Sequence, residues 1–258
     1  MSAIPTLVLR AANDGNEPKA LINSHSHWFV VTFPGKATRK KESNSMDNVF
    51  GQNVDQLLKS PSDLRGGEKA WDHWIDNKVI DHVDELSRRF IAASSLAILS
   101  SSRHDGILDV SPRGDPAGFA KVINKKLIAI PDRPGNNRMD TFENIFGNPN
   151  IGMIFVIPGH RDTLRISGKG AVIRDAELGE RLSINGRPAE LVLLVHVERV
   201  LCHCSKAFVR GKVWQRESWP DASDVPTLAE MMKVHGEMPE SLEEIEGGVK
   251  EDRETNLY

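Results

Sequence analysis

Two short loops hold the residues best suited to chemistry in this chain: Ser111-Pro112-Arg113-Gly114-Asp115 and Pro131-Asp132-Arg133-Pro134-Gly135-Asn136-Asn137-Arg138. Each closes a short apolar run. Arginine offers a planar, permanently charged fork that matches a phosphate dianion, and glycine and asparagine let the backbone turn so that its N–H groups face the same anion. Arg138 also falls at the start of a helical pattern, where the peptide dipole attracts negative charge. Two arginines at a helix start oppose that dipole unless an anion offsets them, so the pattern points to a phosphorylated ligand. In the first loop Pro112 presents a flat apolar surface to a planar ligand, and the N–H groups of Arg113 and Gly114 are placed to donate to ring heteroatoms. Asp115 reads as a cap or turn residue without chemistry of its own.

The elements that must position these loops are mostly short strands joined by tight turns. Leu96–Ser101, an Asp105-Gly106 turn and Ile107–Ser111 read as a β-hairpin, and Lys126–Pro131 reads as a further strand. Met139, Phe142, Ile145 and Phe146 recur at helical spacing between Arg138 and Gly147, with Pro149 beyond as a stop. Ile151–Ile157 and Leu164–Arg174 pair around Pro158-Gly159. A short helix over Ala176–Leu182 and a strand over Leu191–Val200 follow. Upstream, Trp71, Trp74, Ile75, Val79, Val83, Leu86, Phe90 and Ile91 predict one amphipathic helix over Glu68–Ser94, with His73 and His82 on its solvent face. Downstream, Pro226 and Pro239 open two more helices. The expected fold is mainly β with flanking helices, an α+β arrangement around a small antiparallel barrel.

Composition narrows the function. The 258 residues carry a net charge of -3, yet residues 217–258 hold twelve acidic and three basic side chains, which leaves a positive surplus in the part that bears the two loops. No basic stripe interleaved with aromatics is present, so nucleic acid is not expected as a partner. No apolar run approaches eighteen residues, so no membrane span is expected either. The chain's two cysteines, Cys202 and Cys204, stand at an i,i+2 spacing with poor disulfide geometry, which suits a reducing, cytoplasmic setting. Cys202, His203 and Cys204 on a strand point to alternating sides, so no metal is expected there. Residues 1–52 read as a mobile extension, with a targeting role left open and a possible strand over His25–Phe33. Residues 53–220 read as the main domain, and 221–258 as an acidic helical segment on or beside it.

Ser-Pro-Arg-Gly-Asp, Pro-Asp-Arg-Pro-Gly-Asn and His203-Cys204-Ser205-Lys206-Ala207, in this order from about Val54 onward, resemble the pyridoxamine 5′-phosphate oxidase-like flavoproteins, the FMN-binding split-barrel family. The likeness is to a less characterised branch: the oxidase's Ser-Arg-Lys element reads Asn136-Asn137-Arg138 here, which supports FMN better than pyridoxamine phosphate. The resemblance implies a split β-barrel and a homodimer with FMN at its interface. It implies ring contacts at Ser111, Pro112, Arg113 and Gly114, further contacts at Pro131 and Asp132, and phosphate contacts at Arg133, Asn137 and Arg138. Lys206 would stand near the flavin, and Arg210 and Trp214 would edge the substrate site. The activity it implies is an FMN-dependent oxidoreductase acting on an unidentified small molecule, the alternative being a non-catalytic flavin carrier. No protein nucleophile signature occurs, in keeping with chemistry carried by the flavin ring.

Overall fold

The computed structural model describes residues 11–12, 19–24, 27–32, 47–54, 57–60, 63, 77–135 and 138–258. The chain forms two compact units, residues 1–68 and 69–258. In the first unit, β1 (Ala11–Ala12), β2 (Lys19–Ser24) and β3 (His27–Thr32) form an antiparallel sheet in that order. The strand β3 lies within the His25–Phe33 run. A separate hairpin pairs β4 (Asp47–Val49) with β5 (Gln52–Val54) around Phe50 and Gly51, both at positive φ.

The second unit is built on an eight-stranded antiparallel sheet. Its members are β6 (Val79–Ile80), β7 (Leu96–Ser102), β8 (Leu108–Gly114), β9 (Lys121–Asn124), β10 (Leu127–Pro131), β11 (Asn150–Val156), β12 (Thr163–Ile173) and β13 (Val192–His203). The order is β8-β7-β11-β12-β13-β10-β9, with β6 added on β13. The two end strands, β8 and β9, are joined by only residues 115–120, so the sheet must curl until its edges approach. They do not pair, and the barrel stays split.

Alternation along the strands sets the inside. Ala97, Leu99, Met153, Phe155, Ile166, Val195 and Val197 point into one buried cluster with Ile128, Ile130 and Ile91. A bulge between Ser167 and Gly168 bends β12 against β13, and a Cβ at Gly168 would stand 2.0 Å from the His196 carbonyl oxygen, so glycine is required there. Two residues on, Gly170 lets a helix sit close to the sheet: Ile145 Cδ1 lies 3.0 Å from where its Cβ would be. That helix, α2 (Asp140–Gly147), buries Phe142 and Ile145 in the main cluster and so fixes the loop that precedes it.

The single helix expected over Glu68–Ser94 is not found. Val79–Ile80 pairs with Leu201 and Val200 as β6, and the helix α1 spans only Glu85–Ala93. The break has a local cause. Asp84 caps the helix by accepting from the Ser87 N–H at 2.8 Å, while the Val83 N–H donates to the Lys125 carbonyl instead of continuing a helix backward. Val83 and Ile91 are buried as expected, but Leu86 is 70% exposed. His82 is partly exposed and bonds Asp81; Trp71, His73, Trp74 and Ile75 lie outside the described residues.

Beyond the sheet, α3 (Ala176–Arg181) follows β12, and α4 (Lys206–Arg210) and a 3₁₀ turn at Arg216–Ser218 follow β13. The helices α5 (Leu228–His235) and α6 (Leu242–Thr255) then pack on each other, each opened by a capping box, Thr227 with Glu230 and Ser241 with Glu244. Among the described residues no helix is long and apolar enough to cross a membrane.

Candidate functional site

Curling of the sheet brings the end of β8 against the end of β10. Between them lies a cavity of about 340 Å³ lined by Ser111, Pro112, Arg113, Gly114, Pro131, Asp132, Arg133 and Arg138 among others, within the size range of small-molecule sites. Two loops separate in sequence therefore form one wall.

What joins them is a crossed exchange of ion pairs. Arg113 of the first loop donates from Nη1 to Asp132 of the second at 2.9 Å, and Arg133 of the second donates from Nε to Asp115 of the first at 2.7 Å. All four side chains are largely buried, Asp115 the most, at 2% exposure. Arg133 also donates from Nη2 to the Leu182 carbonyl at 2.6 Å, and Asp115 accepts a second bond from the Tyr258 hydroxyl at 3.1 Å. Burial pushes the Asp132 carboxyl above the ordinary aspartate range, against the pull of the neighbouring Arg113.

Arg113 is fixed on a second side by the Phe142 ring, whose centroid lies 5.3 Å from the guanidinium carbon. Its Nε is buried and has no hydrogen-bond partner among the described residues. A buried donor left unsatisfied costs roughly 1–3 kcal/mol. Two further features attract negative charge. The first turn of α2 has no side-chain cap, and Met139 and Arg138 at its start line the cavity. Three arginines also face two aspartates around the lining.

The expectation that only an external anion could offset the arginines before α2 needs correcting. Arg133 is matched by Asp115, and Arg138 donates to Asp140 at 2.6 Å. Each loop supplies the carboxylate that neutralises the other loop's arginine, and the helix supplies one more in its first turn. Asp115, read from sequence as a turn residue, is one of the most buried groups at the site. The signal was the shared Arg and Asp content of the two loops, which allows them to pair crosswise.

Other expected residues fall elsewhere. Asn137 lies outside the described residues. Lys206, Arg210 and Trp214 do not line the cavity within one copy of the chain. Val192 at one end of β13 pairs with Pro131, and His203 at the other pairs with Thr163, so roughly 35 Å of extended strand separates Pro131 from the start of α4. Trp214 donates from its indole N–H to the His160 carbonyl at 2.8 Å and stacks on Phe208. It thus braces α4 against the turn between β11 and β12.

Residues 83–204, which span both loops and strands β7 to β13, match the family model described as pyridoxamine 5′-phosphate oxidase. This segment is similar to the pyridoxamine 5′-phosphate oxidase-like family. Its antiparallel open barrel with flanking helices is the fold expected of that family. Comparison with solved structures finds HupZ of group A Streptococcus, 17% identical over 46% of this chain and 93% of that one, with a TM-score of 0.38. General stress protein 26 from Bacillus anthracis is 12% identical over 45% of this chain and 88% of that one, at a TM-score of 0.36. An FMN-binding protein from Syntrophomonas wolfei is 11% identical over 51% of this chain and 92% of that one, at 0.35. No curated protein sequence matches the chain.

Proposed function

We propose that this protein, like the family its central segment matches, binds FMN in the cavity between β8 and β10 and works as an FMN-dependent oxidoreductase on a small molecule. The observation that carries the reading is the cavity wall itself, where Arg113, Arg133 and Arg138 come together with the start of α2. The residues present fit a flavin mononucleotide. Pro112 and the backbone at Arg113 and Gly114 lie on β8, an edge strand whose outer polar groups no ladder consumes. Arg133, Arg138 and the uncapped start of α2 suit the phosphate. When bound, FMN supplies hydride or electron transfer at its ring. The protein's part is then to orient and to balance charge: both aspartates of the lining are held by arginines, which leaves the described wall suited to gripping the cofactor.

Purified protein should show flavin absorption peaks after loading with FMN, and should bind FMN at least tenfold more tightly than riboflavin, by fluorescence titration. Equal affinities would remove the phosphate assignment. Anaerobic bleaching by a reduced nicotinamide or deazaflavin cofactor, followed by turnover with an acceptor, separates an enzyme from a flavin carrier.

A homodimer belongs to the same proposal. The outward row of the sheet is apolar: Leu108 and Val110 are 73% and 65% exposed, and Pro112 and Ile154 flank Ile98 across neighbouring strands. A second copy covering this face would bury it, and would be the source of Lys206, Arg210 and Trp214 for the cavity. Val110→Asp should halve the mass seen by light scattering and leave the circular dichroism spectrum unchanged, because the side chain faces away from the core. Wild-type protein that is already monomeric and holds stoichiometric FMN would refute the dimer. We place the protein in a reducing, cytoplasmic compartment, with Cys202 and Cys204 free and exposed.

A further inference from the structure

The bond from Tyr258 to Asp115 joins residues 143 positions apart, and it ends on the carboxylate that holds Arg133. Asp115 is almost wholly withdrawn from solvent, so water does little to orient it, and its two oxygens are divided between two donors. Oδ2 accepts from Arg133 Nε and Oδ1 accepts from the Tyr258 hydroxyl. With Nε on Asp115 and Nη2 on Leu182, Arg133 has Nη1 left for a ligand among its contacts with described residues. The direction of that nitrogen depends on how the Asp115 carboxylate is turned.

We propose that Tyr258 is a positioning residue for the phosphate grip: it fixes the rotation of Asp115, and through it aims Arg133 into the cofactor cavity. This rests on the assignment of the phosphate to Arg133 made above. Desolvation, and then the bond to Asp115, push the phenol's pKa above its ordinary value, so the hydroxyl keeps its proton and remains a donor throughout the neutral range. The ring of Tyr258 stands at the wall of a neighbouring cavity of about 460 Å³ that shares Asp132, Arg133 and Pro134 with the first. Removing its hydroxyl therefore opens no void in the core. The acidic pair α5 and α6, which carries the chain to Tyr258, gains a role at the site without contributing a contact to the ligand.

The test is Tyr258→Phe in the full chain, with FMN and riboflavin affinities measured by quenching of flavin fluorescence. The FMN dissociation constant should rise about fivefold, less than for loss of a direct charge-assisted bond because Tyr258 acts through Asp115 and Arg133, and that of riboflavin should stay within about twofold. In the Arg133→Ala background the same substitution should have no further effect, since the two residues act in series. A variant that keeps the wild-type preference for FMN, or that weakens both flavins equally, overturns the assignment of Tyr258. Wild-type protein without any preference for FMN overturns the phosphate assignment and this inference with it.

Discussion

Asp115→Ala is expected to lower folding stability by about 3 kcal/mol, the scale found when one partner of a buried ion pair is removed and the other charge is left behind. Arg133 would keep its bond to the Leu182 carbonyl but lose its only carboxylate among the described residues, and the Tyr258 hydroxyl would lose its acceptor. In a unit of this size the unfolding midpoint should fall by roughly 6–12 °C. Urea unfolding should show a lower midpoint concentration with an unchanged slope. Asp115→Ala combined with Arg133→Ala should recover part of the loss, because the stranded charge is then gone as well. A single-variant loss below about 1 kcal/mol would mean that the pair is screened by water, as exposed pairs are, and that the crossed ion pairs do not hold the two loops together.

The second large effect is on the cofactor. Arg133→Ala with Arg138→Ala should weaken FMN binding about a hundredfold or more, since each charge-assisted hydrogen bond lost costs roughly tenfold or more. Riboflavin affinity should change far less. The two halves differ in kind: Arg133 is buried and also joins the loops, whereas Arg138 is mostly exposed and bonds Asp140 in the first turn of α2. Arg138→Ala alone is thus the cleaner probe, because its stability cost is small and any loss of FMN reports the phosphate directly. Unchanged FMN affinity in a folded double variant would move the phosphate to another part of the cavity.

Local patterns carried much of the architecture. The hairpin of β7 and β8 follows from alternation around Asp105-Gly106, and Gly106 does take positive φ. The helix before Pro149 follows from Met139, Phe142, Ile145 and Phe146, although Phe146 is left exposed. The segment Glu68–Ser94 misled because apolar residues three and four apart need not share a helix. Val79 is spaced for the helical stripe, yet its backbone and that of Ile80 pair with Leu201 and Val200, more than a hundred residues away. A capping aspartate at 84 was the local clue. The strands β1, β2 and β9 had no strong alternation to announce them.

At the site, the sequence by itself determined the chemistry available: the arginines, the glycines and prolines that shape their loops, and the family that residues 83–204 resemble. These depend on residue type and short spacing, which the chain carries locally. Only the tertiary structure decided which charge meets which. Asp115 meets Arg133, and Asp132 meets Arg113, because the curled sheet sets the end of β8 against the end of β10. Tyr258 reaches Asp115 because the last helices run back toward the same wall. Ion pairing falls off steeply with distance and is enforced by burial, so partners separated by 19, 18 and 143 positions become partners only once the fold has withdrawn them together from water.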